Sequence, residues 1–454
     1  MKVLISGATG LIGQAIGQEL VRRGHSVVAL SRDIERARMQ LSFPCEIRKW
    51  KHFSESPEFL AGDKFDSVIH LSGESVADKR WSVEQKKIIY DSRVVGTRVL
   101  AEALRDRGVK TWVHGSAIGL YGDAQDQWVS EESPAGNDFL ASVVKDWEAE
   151  AIKAQNSLSV RLTMIRTGIV LSSQGGALAK IFDIFHRGVG GSLGDGKQYM
   201  SWIHIYDLVN LFLFALENRE VSGAINGSAL HPVSNKEFTS TLARAMGHRE
   251  FIATPKFALK LALGEMANVV LASVRAKTKA DSLGFKFKFT KLDEALEDLC
   301  RGMNDKSRVL EAEQFINRPL NEIFEFFSDE HNLEELTPPF LNFKVLGSTT
   351  EKVQKGTLID YQLSLHGIPM KWKTLIKEWD RGKSFIDEQL KGPYEKWHHT
   401  HEFESLGNGT LIRDRVLFKL PLGALGDTAA SWKVIGDVNN IFKFRRSKIV
   451  ELFG

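Results

Sequence analysis

Unbroken apolar runs alternate with segments of helical periodicity through the N-terminal part of the chain. The runs include KVLIS (residues 2–6), HSVVAL (25–30), FDSVIHLSG (65–73) and VKTWVHGSAIGLYG (109–122). Strands that helices cover on both faces are apolar throughout, whereas strands with one solvent-facing side alternate. The pattern therefore predicts an α/β fold built on a Rossmann-type, doubly wound parallel sheet.

The pattern changes beyond residues 300–307 (CRGMNDKS), which form a polar break. In LIDYQLSL, apolar and polar residues alternate, as they do in MKWKTLIKEW and LIRDRVLFKLP, which is typical of antiparallel strands with one buried face. The apolar face of the first of these strands consists of Ile359, Tyr361, Leu363 and Leu365. PLNEIFEFFSD predicts a helix, and a long amphipathic helix is expected over about residues 428–452. A second domain, of α+β type, is therefore predicted over residues 308–454.

The first apolar run leads directly into GATGLIG and then into a helical pattern. Gly7 is expected to make the tight turn, Gly10 to let the backbone approach a pyrophosphate, and Gly13 to let the helix pack on the strand. The N–H groups and the positive dipole at a helix N-terminus favour a phosphate there. Because strand, turn, helix and next strand follow in order, a dinucleotide site is favoured over an unrelated glycine-rich turn. The expected contacts in this segment are Gly7, Thr9, Gly10, Leu11, Ile12 and Gly13.

The end of the second apolar run indicates which cofactor is bound. A site for NAD places Asp or Glu about 20 residues after the glycine motif, where it binds the ribose 2′-hydroxyl. This chain has Ser31 and Arg32 there. A hydroxyl beside a guanidinium suits a 2′-phosphate, so NADP(H) is the predicted cofactor. Asp33 follows directly, and NAD would be favoured if Asp33 occupied the ribose-binding position instead. The other alternative is that Arg32 is an ordinary surface charge.

Composition and charge narrow the class of protein. With 454 residues, 43% of them hydrophobic and 26% charged, the chain has a globular composition and room for two or three domains. A net charge of +3 gives no reason to expect nucleic-acid binding. No apolar run reaches the roughly 18 residues of a membrane span, and the first run lacks a signal-peptide pattern. The two cysteines, Cys45 and Cys300, do not suggest a disulfide framework, so a cytoplasmic location is expected.

A series of motifs recurs in order over about residues 1–300. The motifs are GATGLIG, HLSGES, KRW, DSRVVGT, GSAIGLYG, RTGIVLSSQGGALAK, GGSLGDGKQYMSWIHIYDL and GFKF. They resemble the atypical extended short-chain dehydrogenase/reductase group that is commonly labelled sugar-nucleotide-epimerase-like. The resemblance implies a Rossmann domain at residues 1–225, a small substrate-side subdomain at 226–302 and NADP(H) binding, but it does not settle the reaction. The further cofactor contacts that it suggests are Leu71, Ser72, Gly73 and Arg166.

The usual acid–base device of working extended reductases and epimerases is missing. That device is a Tyr-x-x-x-Lys pair with a Ser or Thr, in which the lysine charge lowers the pKa of the phenol. None of the six tyrosines has a lysine four residues later, and the segment where the pair belongs (138–151) has no tyrosine. Its Lys145 is either a cofactor ligand or a solvated charge. The expected catalytic residues are Ser116, as a hydrogen-bond partner of a substrate oxygen, and Tyr121, which either replaces the phenol or is a packed aromatic.

Other polar residues follow predicted strand ends, where doubly wound sheets bind ligands. Glu74, Arg80 and Trp81 either hold a polar or phosphorylated substrate, such as a phosphorylated sugar or a nucleotide sugar, or border a loop. His204 either donates a proton near neutral pH or has a structural role. The substrate itself is a small molecule that these residues do not identify.

The C-terminal region contains DEQLKGPYEKWHHTHEF (387–403) between its predicted strands. With the long final helix, it resembles the helix-grip domains of the SRPBCC superfamily, which are related to lipid-transfer START domains. The resemblance implies a curved sheet around the last helix and an apolar cavity, hence a hydrophobic ligand within residues 308–454. His399 and His401 share a face, but no third ligand is evident from the spacing, so no metal site is predicted. They are interpreted as polar groups in an apolar pocket or as a packed core, and Arg445, Arg446 and Lys448 as a solvated basic face.

Three functions are compatible with these features. The first is an NADP(H)-dependent oxidoreductase or epimerase-like enzyme fused to a domain for a hydrophobic ligand. The second is a non-catalytic NADP(H)-binding sensor or scaffold, which the missing Tyr/Lys pair motivates. The third is a carrier of a hydrophobic molecule. Neither nucleic acid nor a membrane span is expected among the interactions.

Overall fold

The strands expected from the apolar runs are present in the computed structural model, which describes residues 1–55, 62–365, 367–420 and 431–454. The elements up to residue 227 alternate between strands and helices. In chain order they are β1 (Lys2–Ser6), α1 (Leu11–Arg22), β2 (Ser26–Ser31), α2 (Ile34–Gln40), β3 (Glu46–Lys49), β4 (Ser67–His70), α3 (Val83–Ala103), β5 (Thr111–Ala117), β6 (Trp128–Val129), α4 (Phe139–Leu158), β7 (Arg161–Thr167), β8 (Ile169–Leu171), α5 (Gly176–His186), β9 (Tyr199–Met200), β10 (Trp202–His204), α6 (Ile205–Glu217) and β11 (Gly223–Gly227).

Seven of these strands form one parallel sheet in the order β11-β7-β5-β4-β1-β2-β3. Ile16 of α1 and Leu211 of α6 pack on one face, while Leu100 of α3 and Ala151 of α4 pack on the other. The sheet is therefore covered on both sides, and the predicted Rossmann-type architecture is confirmed. The strand order reverses between β1 and β4, so a crevice is expected at the carboxyl ends of these two strands.

A small helical subdomain follows β11 and contacts the loops after β4 and β5. It consists of β12 (Val233–Ser234), α7 (Asn235–Ala245), α8 (Lys256–Leu263), α9 (Ala267–Leu271), β13 (Arg275–Ala276) and α10 (Leu292–Leu299). β13 pairs with β6. Asp207, in the first turn of α6, accepts hydrogen bonds from the backbone amides of Lys288 (2.8 Å) and Phe289 (2.9 Å). These bonds fix the subdomain to the sheet.

The second sheet is antiparallel throughout, in the order β14-β20-β19-β18-β17-β16-β15. Ile359, Tyr361 and Leu363 are buried on one face, as the alternation predicted; the side chain of Leu365 and residues 428–430 lie outside the described part of the chain. The C-terminal elements are β14 (Arg308–Ile316), α11 (Leu320–Phe327), α12 (Asn332–Glu335), β15 (Lys344–Ser348), β16 (Leu358–Leu365), β17 (Ile368–Asp380), β18 (Ser384–Lys391), β19 (Lys396–Leu406), β20 (Gly409–Lys419) and α13 (Ser431–Phe453).

The second sheet docks on the first unit through polar and apolar contacts. Arg22 of α1 forms an ion pair with Glu404 of β19 at 2.6 Å, and Ser173 donates a hydrogen bond to Glu311 of β14 at 2.7 Å. Leu417 of β20 packs into the apolar cluster of the small subdomain. Among the described residues, no helix combines the length and the apolarity that a bilayer span requires.

Candidate functional site

The turn between β1 and α1 has the geometry that a bound pyrophosphate requires. Gly7 has a φ of +76°, and a Cβ there would lie 2.9 Å from the backbone of Leu71. A Cβ at Gly13 would lie 2.2 Å from the Gly7 carbonyl oxygen, because α1 packs directly on the turn. A Cβ at Gly10 would also lie close to that oxygen, at 3.3 Å, with no other described protein atom within 4 Å. No side chain caps α1, so the amides of its first turn are left for a ligand.

The loop after β2 presents Arg32 at the surface. Ser31 Oγ donates to the carbonyl oxygen of Asp33 at 2.9 Å. The carboxylate of Asp33 caps α2 by accepting from the Arg36 amide at 3.0 Å. Arg32 is exposed, and among the described residues no hydrogen bond or ion pair to its guanidinium is found. The acidic neighbour is thus committed to a helix cap, whereas the arginine is accessible to a ligand.

The segment that follows β4 is fixed beside the crevice by hydrogen bonds to Ser6 and Arg93. The amides of Leu71 and Ser72 donate to Ser6 Oγ at 3.2 and 3.3 Å. The guanidinium of Arg93 lies under Gly73, where a Cβ would approach its central carbon to 2.9 Å. Arg93 donates a hydrogen bond to the backbone carbonyl oxygen of Glu74 at 3.0 Å. Burial lowers the pKa of Arg93 to about 10. This arginine shapes the segment under the crevice and was not among the predicted residues.

Five buried side chains form a connected set, the crevice network: Ser116, Arg166 and Asn226 near the carboxyl ends of β5, β7 and β11, Tyr121 in the turn after β5, and Glu148 on α4. Ser116 Oγ donates to Glu148 Oε1 at 2.5 Å. Arg166 donates to both carboxylate oxygens of Glu148, at 2.9 and 2.8 Å, and to the hydroxyl oxygen of Tyr121 at 3.0 Å. Tyr121 O–H in turn donates to Asn226 Oδ1 at 2.7 Å. The structure therefore joins the two predicted catalytic residues through an ion pair that the sequence analysis did not identify.

The charges of the crevice network compensate one another. Burial is the largest influence on Arg166 and would lower its pKa, but the hydrogen bonds and charge of Glu148 outweigh it and raise the pKa above the ordinary value. Burial raises the pKa of Tyr121, which Arg166 only partly offsets, so the phenol is neutral near pH 7. Arg166, a predicted cofactor contact, donates from its Nε and both terminal nitrogens to groups within the protein. It positions Glu148 and Tyr121.

The predicted substrate residues of the loop after β4 make contacts that hold this loop. Arg80 donates to two backbone carbonyl oxygens of the small subdomain, at 2.7 and 3.2 Å. Trp81 Nε1 donates to a carbonyl oxygen of its own loop at 2.9 Å, and Glu74 forms an ion pair with Lys79 at 3.3 Å. Arg80 is exposed, and Glu74 and Trp81 are half-buried. All three are accessible from the loop surface, although their polar atoms already have partners.

His204 and Lys145 lie outside the crevice network. His204 is buried, caps α6 by accepting from the Tyr206 amide at 3.0 Å, and stacks on Phe289 at 3.9 Å between ring centroids. Its other ring nitrogen lies 3.4 Å from Asp298 of α10. These contacts hold the small subdomain. Lys145 is exposed on α4.

A cavity of about 190 Å³ lies between the second sheet and α13. Most of its wall is apolar or aromatic, with Leu333, Tyr361, Trp372, Tyr394, Trp397 and Phe442 among the lining residues. One wall carries a set of polar side chains, the cavity cluster: Asp387, His399, His401 and Arg445 line the cavity, and Asp414 contacts both imidazoles.

The interpretation of the basic residues of α13 as a solvated face is wrong for two of them. Arg445 is buried and lies 3.6 Å from Asp414. Arg446 donates to backbone carbonyl oxygens of Glu313 and Met39. Both side chains point to neighbouring elements because α13 packs across the sheet. Lys448 pairs with Glu335 at 3.3 Å.

Sequence reasoning missed Glu148, although its position carries a signal. On α4 it follows Val144 by four residues and precedes Ala151 by three, and both of these are buried. A carboxylate on the apolar stripe of a helix needs a buried partner. Asn226 had no comparable signal, because nothing in GAING distinguishes its asparagine from a loop residue.

Comparison with known proteins covers the region of the crevice. The sequence profile of the NAD dependent epimerase/dehydratase family matches residues 3–226, and that of DUF1731, a domain of unknown function, matches residues 254–299. An epimerase family protein of Mycobacterium leprae is 36% identical over 298 residues, which are 65% of this chain and 94% of that relative.

Two solved structures are similar to the same region. The human epimerase family protein SDR39U1, crystallised with NADPH, is 30% identical with a TM-score of 0.59, and the match covers 66% of this chain and all of that one. The nucleoside-diphosphate sugar epimerase of Corynebacterium glutamicum is 31% identical with a TM-score of 0.52, and the match covers 66% of this chain and 58% of the epimerase chain.

Proposed function

The chain belongs to the NAD-dependent epimerase/dehydratase family, and from this premise we propose that it is an NADP(H)-dependent oxidoreductase or epimerase. The observation that carries the proposal is the turn at Gly7–Gly13, with its closely packed glycines and the uncapped amides at the start of α1. The NADPH in the crystal structure of human SDR39U1 supports the choice of cofactor. The proposed substrate is a nucleotide sugar or another phosphorylated small molecule; the similarity to the nucleoside-diphosphate sugar epimerase of Corynebacterium glutamicum supports the former.

The residues around the turn fit this cofactor. The backbone of Gly7, Thr9, Gly10 and the first residues of α1 would hold the pyrophosphate. Arg32, whose guanidinium is exposed beside the end of β2, would neutralise the 2′-phosphate. Leu71, Ser72 and Gly73 would form the backbone surface under the cofactor. When bound, the nicotinamide supplies or accepts a hydride.

The chain's own residues would orient the substrate and supply hydrogen bonds to its reacting oxygen. Ser116 and Tyr121 lie at the carboxyl end of β5 and in the turn that follows it. Arg166 and Glu148 hold both hydroxyls in position. The buried Tyr121 phenol is neutral, so it can donate a hydrogen bond or a proton to a substrate oxygen, with Asn226 as its partner in the absence of substrate.

Turnover tests these roles directly. Carbonyl compounds and nucleotide sugars are screened for NADPH oxidation or epimerisation. With a substrate found, Ser116→Ala and Tyr121→Phe are expected to lower kcat by about 100-fold each while leaving NADPH affinity unchanged. Ser142→Ala on the exposed side of α4 and Tyr206→Phe at an exposed tyrosine are matched controls with normal rates. Unchanged turnover in both crevice variants would refute their assignment.

One observation favours a second candidate, a non-catalytic NADP(H)-binding sensor or scaffold. Ser116 and Tyr121 are each only 4% exposed and already have partners inside the protein. A site that only holds the cofactor can keep its hydroxyls satisfied in this way. Tight NADPH binding with no turnover across the screen would favour this candidate over the enzyme.

For the C-terminal region we propose a helix-grip domain that binds a hydrophobic ligand. The support is the antiparallel sheet closed by α13 and the apolar cavity between them; a dry cavity of about 150 Å³ suffices for benzene. The proposed units are residues 1–225, 226–302 and 308–454. Native mass spectrometry of the full chain checks the proposal: an added mass that organic extraction removes is expected, and a bare mass that no apolar compound changes contradicts it.

A further inference from the structure

The cavity cluster arises from strand register rather than from spacing along the chain. In the pairing of β18 with β19, Asp387 lies opposite His399. In the pairing of β19 with β20, His401 lies opposite Asp414. Residues two apart on a strand share a face, so all four side chains meet on the face that α13 covers. Two imidazoles are thereby placed between two carboxylates.

We propose that Asp387, His399 and His401 bind a divalent transition metal, with Zn²⁺ the best match to the ligand set. The three residues offer ligand atoms that all lie within 4.8 Å of one another. Asp387 Oδ2 lies 3.5 Å from His399 Nδ1 and 3.0 Å from His401 Nε2. Ligands at a Zn–N distance of 2.0–2.1 Å in a tetrahedron are separated by about 3.4 Å. The observed separations are close to that edge, so small side-chain shifts would complete coordination.

The opposite side of each imidazole is arranged as in metal sites. Asp414 Oδ1 lies 2.9 Å from His399 Nε2 and 2.8 Å from His401 Nδ1, the nitrogens that do not face Asp387. A carboxylate on the second ring nitrogen fixes the tautomer and orientation of a metal-binding histidine. Phe385 stacks on His401 at 4.2 Å and restricts its ring further. Asp414 thus supports His399 through a hydrogen bond and His401 through a close ion-pair contact, without being a ligand.

Charge balance also favours a cation here. The cluster contains two carboxylates and one guanidinium, Arg445, so with neutral imidazoles it carries one uncompensated negative charge in a buried site. Buried charges are compensated by pairing or by metal coordination. Three protein ligands leave a fourth position, and because these residues line the cavity, that position faces the cavity. A bound ion there would hold a water molecule or an oxygen atom of the cavity ligand.

Cobalt substitution tests the site in the full chain. After chelation and dialysis, a Co²⁺ titration is followed by visible absorption, with Zn²⁺ as competitor. The wild type is expected to bind one equivalent of Co²⁺ per chain and to show the intense absorption bands of tetrahedral Co²⁺. His401→Ala and Asp387→Asn are expected to show no such bands. Asp414→Asn should keep the stoichiometry and weaken affinity about 10- to 100-fold.

Two controls separate this site from others. His398 is adjacent in sequence but pairs with Glu388 on the other face, and the exposed group Asp329–His331 is another set of potential ligands. His398→Ala and His331→Ala should therefore bind Co²⁺ normally. Circular dichroism checks that each variant is folded. If His401→Ala is unfolded, the near-isosteric Asp387→Asn variant serves as the test of the site instead. A wild type without tetrahedral bands, or bands that persist in folded Asp387→Asn, would overturn the proposal and leave a hydrogen-bonded cluster.

Discussion

The crevice network and the cavity cluster are both buried sets of charged side chains, but they differ in charge balance. In the crevice network, one guanidinium faces one carboxylate in a two-point ion pair between Arg166 and Glu148. In the cavity cluster, two carboxylates face one guanidinium and two imidazoles. The first set satisfies itself, whereas the second depends on a proton or a metal ion for its remaining charge.

The difference follows from how each sheet brings residues together. The crevice network lies at the carboxyl ends of parallel strands, where three strands, the turn after β5 and α4 contribute one side chain each. The cavity cluster lies in the middle of antiparallel strands, where cross-strand neighbours are fixed by register. A balanced pair at a strand end positions its neighbours, whereas an unbalanced set within a sheet is suited to hold an ion.

The largest expected effect comes from breaking the balanced pair. Arg166→Met leaves the Glu148 carboxylate buried without its partner, because both side chains are less than a tenth exposed. Loss of about 3–5 kcal/mol in the free energy of unfolding is expected, measured by urea denaturation. The double variant Arg166→Met/Glu148→Leu should recover part of this loss, since it leaves no unpaired charge.

The matched control for this experiment is an exposed ion pair of the same type. Arg38 and Glu35 form one on α2, with side chains 65% and 80% exposed. Arg38→Met should cost less than about 1 kcal/mol, because water and salt screen such pairs. If Arg166→Met costs no more than Arg38→Met, the ion pair does not hold the crevice network and the comparison between the two sets fails.

The sequence predicts the two regions unequally well, for physical reasons. Local patterns identify the parallel sheet, the phosphate turn and the one-sided strands, because each depends on residues a few positions apart. The partners of Ser116 and Tyr121 come from elements far away in sequence: Glu148 from a helix and Asn226 from the edge strand. Nothing local records which strand end lies beside which helix.

The same limit explains the cavity cluster. WHHTHEF places His399 and His401 on one face, but Asp387 and Asp414 reach them only through the pairing register of three strands. A shift of one residue in either pairing would place the carboxylates on the other face. The register depends on hairpin geometry that the residue types alone do not fix, so the third ligand of the proposed metal site could not be found from spacing.

A smaller expected effect is the pH dependence of stability that arises from a buried histidine of the first sheet. His70 of β4 is fully buried between the hydroxyls of Ser6 (2.5 Å) and Thr97 (3.0 Å), without a carboxylate of the kind that flanks His399 and His401. Burial lowers the pKa of His70 to about 3. An unfolded histidine titrates near pH 6.5, so as the pH falls from 6.5 towards 3 the unfolded chain gains a proton that the folded chain excludes. Stability therefore falls with pH, by about 2 kcal/mol at pH 5 from this residue.

His70→Asn isolates that contribution. The variant loses packing and is expected to be less stable at pH 7, but its free energy of unfolding should fall less between pH 7 and pH 5, by about 2 kcal/mol relative to the wild type. Urea denaturation at both pH values measures the difference. The neighbouring His114 is present in both proteins, and its own burial is the main reason that its pKa lies well below the usual value. An identical pH dependence of the two proteins contradicts the assignment.

The smallest expected effect concerns the exposed edge of the crevice, where charge is neither balanced nor buried. Arg32 is exposed at the end of β2, so its attraction for a 2′-phosphate is partly screened by solvent. A charge-assisted hydrogen bond weakened in this way contributes about 1.4 kcal/mol, which is tenfold in affinity. Arg32→Ala should therefore raise the Kd of NADPH about tenfold and leave that of NADH unchanged, as measured by isothermal titration calorimetry. Arg36→Ala, at an exposed arginine in the first turn of α2, should change neither. Equal losses for both nucleotides in Arg32→Ala would show that the arginine supports the loop rather than the phosphate, and NADP(H) preference would then need another source.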